Sequence, residues 1–146
     1  MKNSNKAAQI YQHALLLHHK NPVGFNHVIK VDAHASGENA ACGDEIMLQI
    51  HIEHHHIKDI AFQGDSCAIC RASASMLCQD LALGSLTMAL TKVSQIKASL
   101  QGKSNFSEIT APLSAVAQYP IRLQCALLPW TTLEKAITSL NIESEE

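Results

Sequence analysis

The stretch Ile57-Lys58-Asp59-Ile60-Ala61-Phe62-Gln63 runs through Gly64-Asp65-Ser66 into Cys67-Ala68-Ile69-Cys70-Arg71-Ala72-Ser73-Ala74-Ser75-Met76. Up to Gln63 it reads as a strand bounded by turn residues. From Cys67 to Leu83 the chain is rich in Ala, Met and Leu, with no glycine or proline, so a helix replaces the strand. Ser66 or Asp65 is expected to cap its first turn. Upstream, Val28–Ala35 alternates, with Ile29, Val31, Ala33 and Ala35 on one face and Lys30, Asp32 and His34 on the other, a half-buried strand. Ser36-Gly37-Glu38-Asn39 reads as a polar loop leading to Cys42-Gly43-Asp44. Ile46, Leu48, Ile50 and Ile52 then alternate in a second strand, and Glu53–His56 turns the chain into the strand at Ile57–Gln63. No connection is long enough for a crossover helix, so the strands form an antiparallel meander. The fold class is α+β, a three-stranded antiparallel sheet packed by several helices.

Helices flank this unit. Ala7, Ile10, Tyr11, Ala14, Leu15 and Leu17 have helical spacing within Lys6–His19, and Asn21-Pro22 stops them. Gly84 separates the helix after Cys67 from a second at Leu86–Leu100, and Gln101–Asn105 is a loop. Pro112–Gln118 forms a short helical piece before Tyr119-Pro120. A last helix runs from Cys125 or Ala126 to about Leu140, burying Leu127, Trp130, Leu133, Ala136 and Ile137. The acidic tail at 141–146 is expected to fray from Glu143.

A chain of 146 residues with 47% hydrophobic content suits one domain, 1–146, with a sizeable core. Its formal net charge of -2 gives no electrostatic footprint for nucleic acid or an anionic membrane. There is no apolar run of the roughly 18 residues that a membrane span needs, and Gln12, His13, His18 and His19 interrupt the first 20 positions. The protein is expected to stay in the cytoplasm, where its five cysteines would be reduced thiols used as ligands or nucleophiles.

Cys42, Asp44, Cys67 and Cys125 each stand where an element begins or ends. Gly43 lets the backbone turn so that Asp44 points back toward the site of Cys42. Cys67 lies at a helix N-terminus, where unpaired amides and the helix dipole favour an anionic sulfur. Three thiolates and a carboxylate make a tetrahedral shell of the type that binds Zn²⁺, with Asp44 the harder ligand and the natural one to open. The alternative is a set of unrelated buried cysteines, since free cysteine is among the most buried residue types. Cys67-Ala68-Ile69-Cys70 also has the spacing of a redox dithiol, but it does not sit in a βαβ unit. Cys70 reads as a packing thiol and Cys78 as core. His51 with His54-His55-His56 offers imidazoles to a divalent ion, although a hairpin tip is more often simply solvated. Lys103 and Arg122 read as surface charges.

The ordered series Asn21-Pro22, Ala41-Cys42-Gly43-Asp44, Phe62-Gln63-Gly64-Asp65-Ser66-Cys67, Ala72-Ser73-Ala74-Ser75-Met76 and Tyr119-Pro120-Ile121-Arg122-Leu123-Gln124-Cys125-Ala126 resembles the iron–sulfur cluster assembly proteins of the NifU N-terminal/IscU family. The resemblance runs from about Asn21 to Ile137. It is similar to the SufU-type branch in the long segment between Cys67 and Cys125, and in Gln124 standing where IscU-type scaffolds have a histidine. The resemblance implies the α+β fold already read, and a zinc site formed by Cys42, Asp44, Cys67 and Cys125. It also implies that persulfide sulfur is accepted on Cys42 from a pyridoxal-phosphate cysteine desulfurase and passed to the Suf assembly machinery. Cys70 departs from the serine of that family, which leaves an extra ligand or a resolving thiol open. The expectation is a zinc-dependent sulfur-transfer partner of a desulfurase. Its rivals are a scaffold assembling a transient 2Fe–2S cluster on the same ligands and a dithiol oxidoreductase using Cys67 and Cys70.

Overall fold

The structure is a computed structural model and describes residues 2–117 and 119–145. Its element order is α1 (Lys2–Lys20), β1 (Ala33–Asn39), β2 (Asp44–Glu53), β3 (His56–Gln63), α2 (Ala68–Leu81), α3 (Leu86–Leu100), a short 3-10 turn (Ala111–Ala115) and α4 (Pro120–Glu145). The three strands form an antiparallel sheet in the order β1-β2-β3, the meander expected from the short connections. Ile46, Leu48 and Ile50 of β2 and Ile57, Ile60 and Phe62 of β3 are buried in one core with Trp130, Leu133, Ala136 and Ile137 of α4. α4 packs across β1 and β2, α2 lies between α4 and α1, and α3 borders α4. Among the described residues no helix is long and apolar enough to cross a membrane.

Two boundaries differ from the sequence reading, and both position the site. The first strand is not Val28–Ala35 but Ala33–Asn39. Val28 is 99% exposed, and the alternation that begins at Ala33 continues inward through Gly37 to Asn39. The supposed polar loop is strand because Gly37 faces α4 at close range, where a Cβ would overlap the Thr132 hydroxyl. The missing side chain permits packing there. The turn is therefore only Ala40–Gly43, and Asn39 pairs directly with Asp44.

The second difference is at α4, which starts at Pro120 rather than at Cys125 or Ala126. Pro120 is a first-turn proline: its fixed φ suits a helix start and the N–H it lacks would go unbonded there. Leu123 N–H donates to the Tyr119 carbonyl at 2.8 Å to close that turn. Cys125 thus stands in the second turn, on the inward face. Pro129, inside the same helix, cannot donate to the carbonyl four residues back, that of Cys125.

The remaining corrections are smaller. α1 begins earlier and ends one residue later than Lys6–His19. The helical piece after Pro112 is a 3-10 turn ending at Ala115, and Gln118 lies outside the described residues. α4 runs to Glu145, so the acidic tail to that point is helical rather than frayed; Glu146 lies outside the description.

Candidate metal centre

Four stretches of chain meet at the β1–β2 turn. Cys42 sits on the turn, whose closure is made by Cys42 N–H donating to the Asn39 carbonyl at 3.2 Å and by Gly43 in a left-handed conformation, φ 71°. No other heavy atom lies within 4 Å of where a Gly43 Cβ would stand, so its left-handed φ, not crowding, is the reason for glycine.

Asp44, the first residue of β2, is only 1% exposed. Its Oδ1 accepts from Cys67 N–H at 2.7 Å, which caps the start of α2 with a buried carboxylate in place of the Ser66 or Asp65 cap expected. Cys67 is itself the N-cap residue, and its sulfur accepts from Cys70 N–H at 3.4 Å. On the carboxylate's other side, Cys67 Sγ lies 3.8 Å from Asp44 Oδ2. Cys125, buried from the α4 side, places its sulfur 2.8 Å from Cys42 Sγ.

Ligand atoms of Cys42, Asp44 and Cys125 all lie within 4.8 Å of one another. Those three converge on one point, while Cys67 borders the group through Asp44. Two soft sulfurs and a carboxylate, with a third sulfur adjacent, form a donor set that fits Zn²⁺ or an iron–sulfur centre. Burial, then hydrogen bonds with Cys42, Asp44 and Cys67, push the Cys125 thiol far above its ordinary range. A cation entering the group must displace that proton, so uptake is coupled to proton release.

The other two cysteines lie outside the convergent group. Cys70 is fully buried, and burial together with the Asp44 charge pushes its thiol up to about 12. Burial alone pushes Cys78 up to about 12. Both are core thiols that burial holds in the neutral, weakly nucleophilic form at neutral pH. The histidines gather nothing comparable: His51 lies between Asp32 Oδ2 at 2.7 Å and Glu53 Oε1 at 3.3 Å, while His56 Nδ1 contacts the His54 carbonyl.

The cysteine group opens onto a depression of about 570 Å³ lined by Cys42, Cys67, Tyr119, Pro120, Ile121, Arg122 and Cys125. Tyr119 and Ile121 are 54% and 64% exposed and form an apolar rim. Sequence reasoning missed this rim because it started the last helix beyond it, at Cys125 or Ala126, and it missed Asn39, whose Nδ2 donates to Cys125 Sγ at 3.6 Å. The signal for Asn39 was available: it continues the inward phase of Ala33, Ala35 and Gly37.

A three-stranded meander backed by helices, with cysteines from a hairpin turn, a helix N-terminus and a second helix meeting a buried aspartate, defines a class of iron–sulfur assembly domain. The chain belongs to the NifU-like N terminal domain family, whose model matches residues 10–144. It is 32% identical over 136 residues to the zinc-dependent sulfurtransferase SufU of Bacillus subtilis, covering 88% of this chain and 89% of that one. It is 31% identical over 110 residues to the iron–sulfur cluster assembly scaffold protein IscU of Thermotoga maritima, covering 72% and 76%. The crystal structure of a putative iron–sulfur cluster assembly scaffold protein for the SUF system from Fervidobacterium islandicum superposes with a TM-score of 0.74 at 28% identity, over 85% of this chain and 93% of that one.

Proposed function

We propose that this chain is a zinc-dependent sulfur-transfer protein of iron–sulfur cluster biogenesis, acting in the cytoplasm as a single domain over residues 1–146. It accepts persulfide sulfur from a SufS-like cysteine desulfurase and hands it to the Suf assembly machinery. The observation that carries this reading is the unequal mounting of two sulfurs 2.8 Å apart. Cys125 is fixed inside a helix, whereas Cys42 rides on a turn at the mouth of an open depression. The likeness to the Bacillus subtilis sulfurtransferase supports it.

In this reading Cys42, Asp44, Cys67 and Cys125 would hold the zinc, which would supply the positive charge that favours the thiolate form of Cys42. Cys67, whose sulfur lies 3.8 Å from Asp44 Oδ2, would supply the third sulfur. Cys42 Sγ attacks the outer sulfur of the donor's persulfide. A new sulfur–sulfur bond forms to Cys42, the bond between the donor's two sulfurs breaks, and the donor cysteine leaves as a thiolate with that electron pair. The outer sulfur is now the persulfide of Cys42. Tyr119 and Ile121 give a docking protein an apolar rim around the reacting atom, and Arg122 a positive charge beside it.

A second reading, assembly of a 2Fe–2S cluster on the same four residues, is favoured by the likeness to IscU. One preparation separates the two. The purified protein is expected to be colourless with one zinc per chain; brown protein with iron and sulfide supports the scaffold. With a desulfurase and cysteine, trapping and mass mapping should place extra sulfur on Cys42, and Cys42→Ser should abolish stimulation of the desulfurase while the fold survives. Persulfide on Cys70 or Cys125 and never on Cys42 overturns the assignment.

A further inference from the structure

Asn39 closes the hairpin that carries Cys42. It stands opposite Asp44 at the end of β1, its carbonyl accepts the Cys42 N–H at 3.2 Å, and its side-chain Nδ2 donates to Cys125 Sγ at 3.6 Å. This half-buried residue therefore adjoins three of the four residues assigned to the zinc.

Beyond their mutual contact, the two sulfurs at 2.8 Å meet unlike partners. Cys125, which also meets Asp44 and Cys67, receives an N–H from the Asn39 amide, while Cys42 faces the Ile121 carbonyl, an acceptor, at 3.9 Å. An N–H donated to a thiolate draws charge from the sulfur and lowers its nucleophilicity while leaving it a competent metal ligand. A thiolate that receives no such bond keeps its charge and its reactivity.

We propose that Asn39 is a positioning residue that makes the two neighbouring sulfurs chemically unequal: its amide commits Cys125 to the metal, which leaves Cys42 as the sulfur that reacts. This inference rests on the zinc and sulfur-transfer reading and supplies its selectivity. The transfer step is the one written above, with Cys42 Sγ as nucleophile and the donor cysteine as leaving group. When the amide is removed, Cys125 Sγ competes for the same outer sulfur.

The test uses the full chain as wild type, Asn39→Ala and Asn39→Asp, each loaded with Co²⁺ in place of zinc. Both variants keep the backbone carbonyl that holds Cys42. The sulfur-to-cobalt charge-transfer band of Asn39→Ala should move to lower energy than wild type, and that of Asn39→Asp, with a carboxylate against the sulfur, further still. Zinc affinity measured against a chelator should fall about tenfold or more. After reaction with a desulfurase, persulfide should appear on Cys125 as well as on Cys42. Wild-type band energy and persulfide confined to Cys42 in both variants overturn the inference. So does a fall in bound-metal count or circular dichroism with the band of the remaining complex unmoved, since that is a merely structural role. If wild type itself gives no charge-transfer band, the zinc reading fails and the inference with it; if wild type gives the band and only the variants fail to shift it, the inference alone fails.

Discussion

The two ends of β2 each carry a collection of metal-binding residue types, and they are built in opposite ways. At the Asp44 end, donors arrive from a hairpin turn, a strand, the N-terminus of α2 and the interior of α4, and three of them converge within 4.8 Å. At the Glu53 end, His54, His55 and His56 are consecutive, exposed and held on a tight turn. Consecutive residues on a turn diverge, and the one buried imidazole there, His51, already has Asp32 and Glu53 as partners. Convergence comes from separate elements docking around a buried charge. Residue type does not supply it.

Breaking the cysteine end should have the largest effect, and Asp44 is the residue to remove. Asp44→Ala takes away a proposed ligand and leaves the Cys67 N–H, now bonded at 2.7 Å, without its buried acceptor. A hydrogen bond to a charged group at such a position is worth about 2–3 kcal/mol, and the stabilisation from bound metal is lost in addition. Denaturant unfolding with and without chelator, alongside metal analysis, separates the two contributions. Asp44→Asn keeps an acceptor for Cys67 N–H, so it should restore most of the chelated protein's stability without restoring the metal. An Asp44→Ala protein with full zinc and an unchanged midpoint would remove Asp44 from both roles.

The contrast between the two ends also marks what could be read from residues alone. β2, β3 and α3 were legible because alternation or helical periodicity is uninterrupted and glycines bound the segments. β1 was displaced because Gly37 was taken for a loop glycine, when its missing Cβ is what lets Thr132 and Leu128 approach the strand. Similarly, Pro120 starts α4, so Cys125 stands in the second turn and not at the helix terminus expected for it. That Cys42, Asp44 and Cys125 gather was legible from their residue types and from the family resemblance. Asn39 was legible only as an inward-facing residue of β1; its role at the site was not, because its contact with Cys125 spans 86 positions and exists only once the hairpin and α4 are placed.

A thiol buried without companions should behave unlike the site, and Cys78 measures that difference. Burial pushes its pKa from 9.0 to about 12, so between those values the folded chain keeps a proton that the unfolded chain has lost. The stability Cys78 contributes is fully present below pH 9 and declines as pH rises toward 12. One retained proton corresponds to a slope of about 1.4 kcal/mol per pH unit. Relative to wild type, Cys78→Ala should lose that much of the alkaline slope while zinc content and sulfur acceptance stay unchanged. Parallel stability curves above pH 9 would show that the thiol ionises equally in both states.

The smallest effect is expected at the histidine end, and its sign is favourable. His54 and His55 both adopt left-handed backbone conformations, φ 53° and 64°, in the two-residue turn joining β2 to β3. Two consecutive positive φ values define a turn of the type that prefers Asn-Gly, because a Cβ crowds the following carbonyl oxygen there, a cost that glycine avoids and asparagine offsets by local hydrogen bonding. The hairpin tip tolerates the strain because it is tied down: Leu86 N–H donates to the His55 carbonyl at 3.0 Å and Ile57 N–H to the Gly84 carbonyl at 2.8 Å. Both ties are made by backbone atoms and survive substitution. The double variant His54→Asn with His55→Gly should therefore raise stability by about 1 kcal/mol, read from the denaturation midpoint. Metal content should stay at the wild-type value, because neither imidazole belongs to the convergent group. A fall in tightly bound zinc would transfer the metal site to the histidine end and reverse the contrast between the two ends of β2.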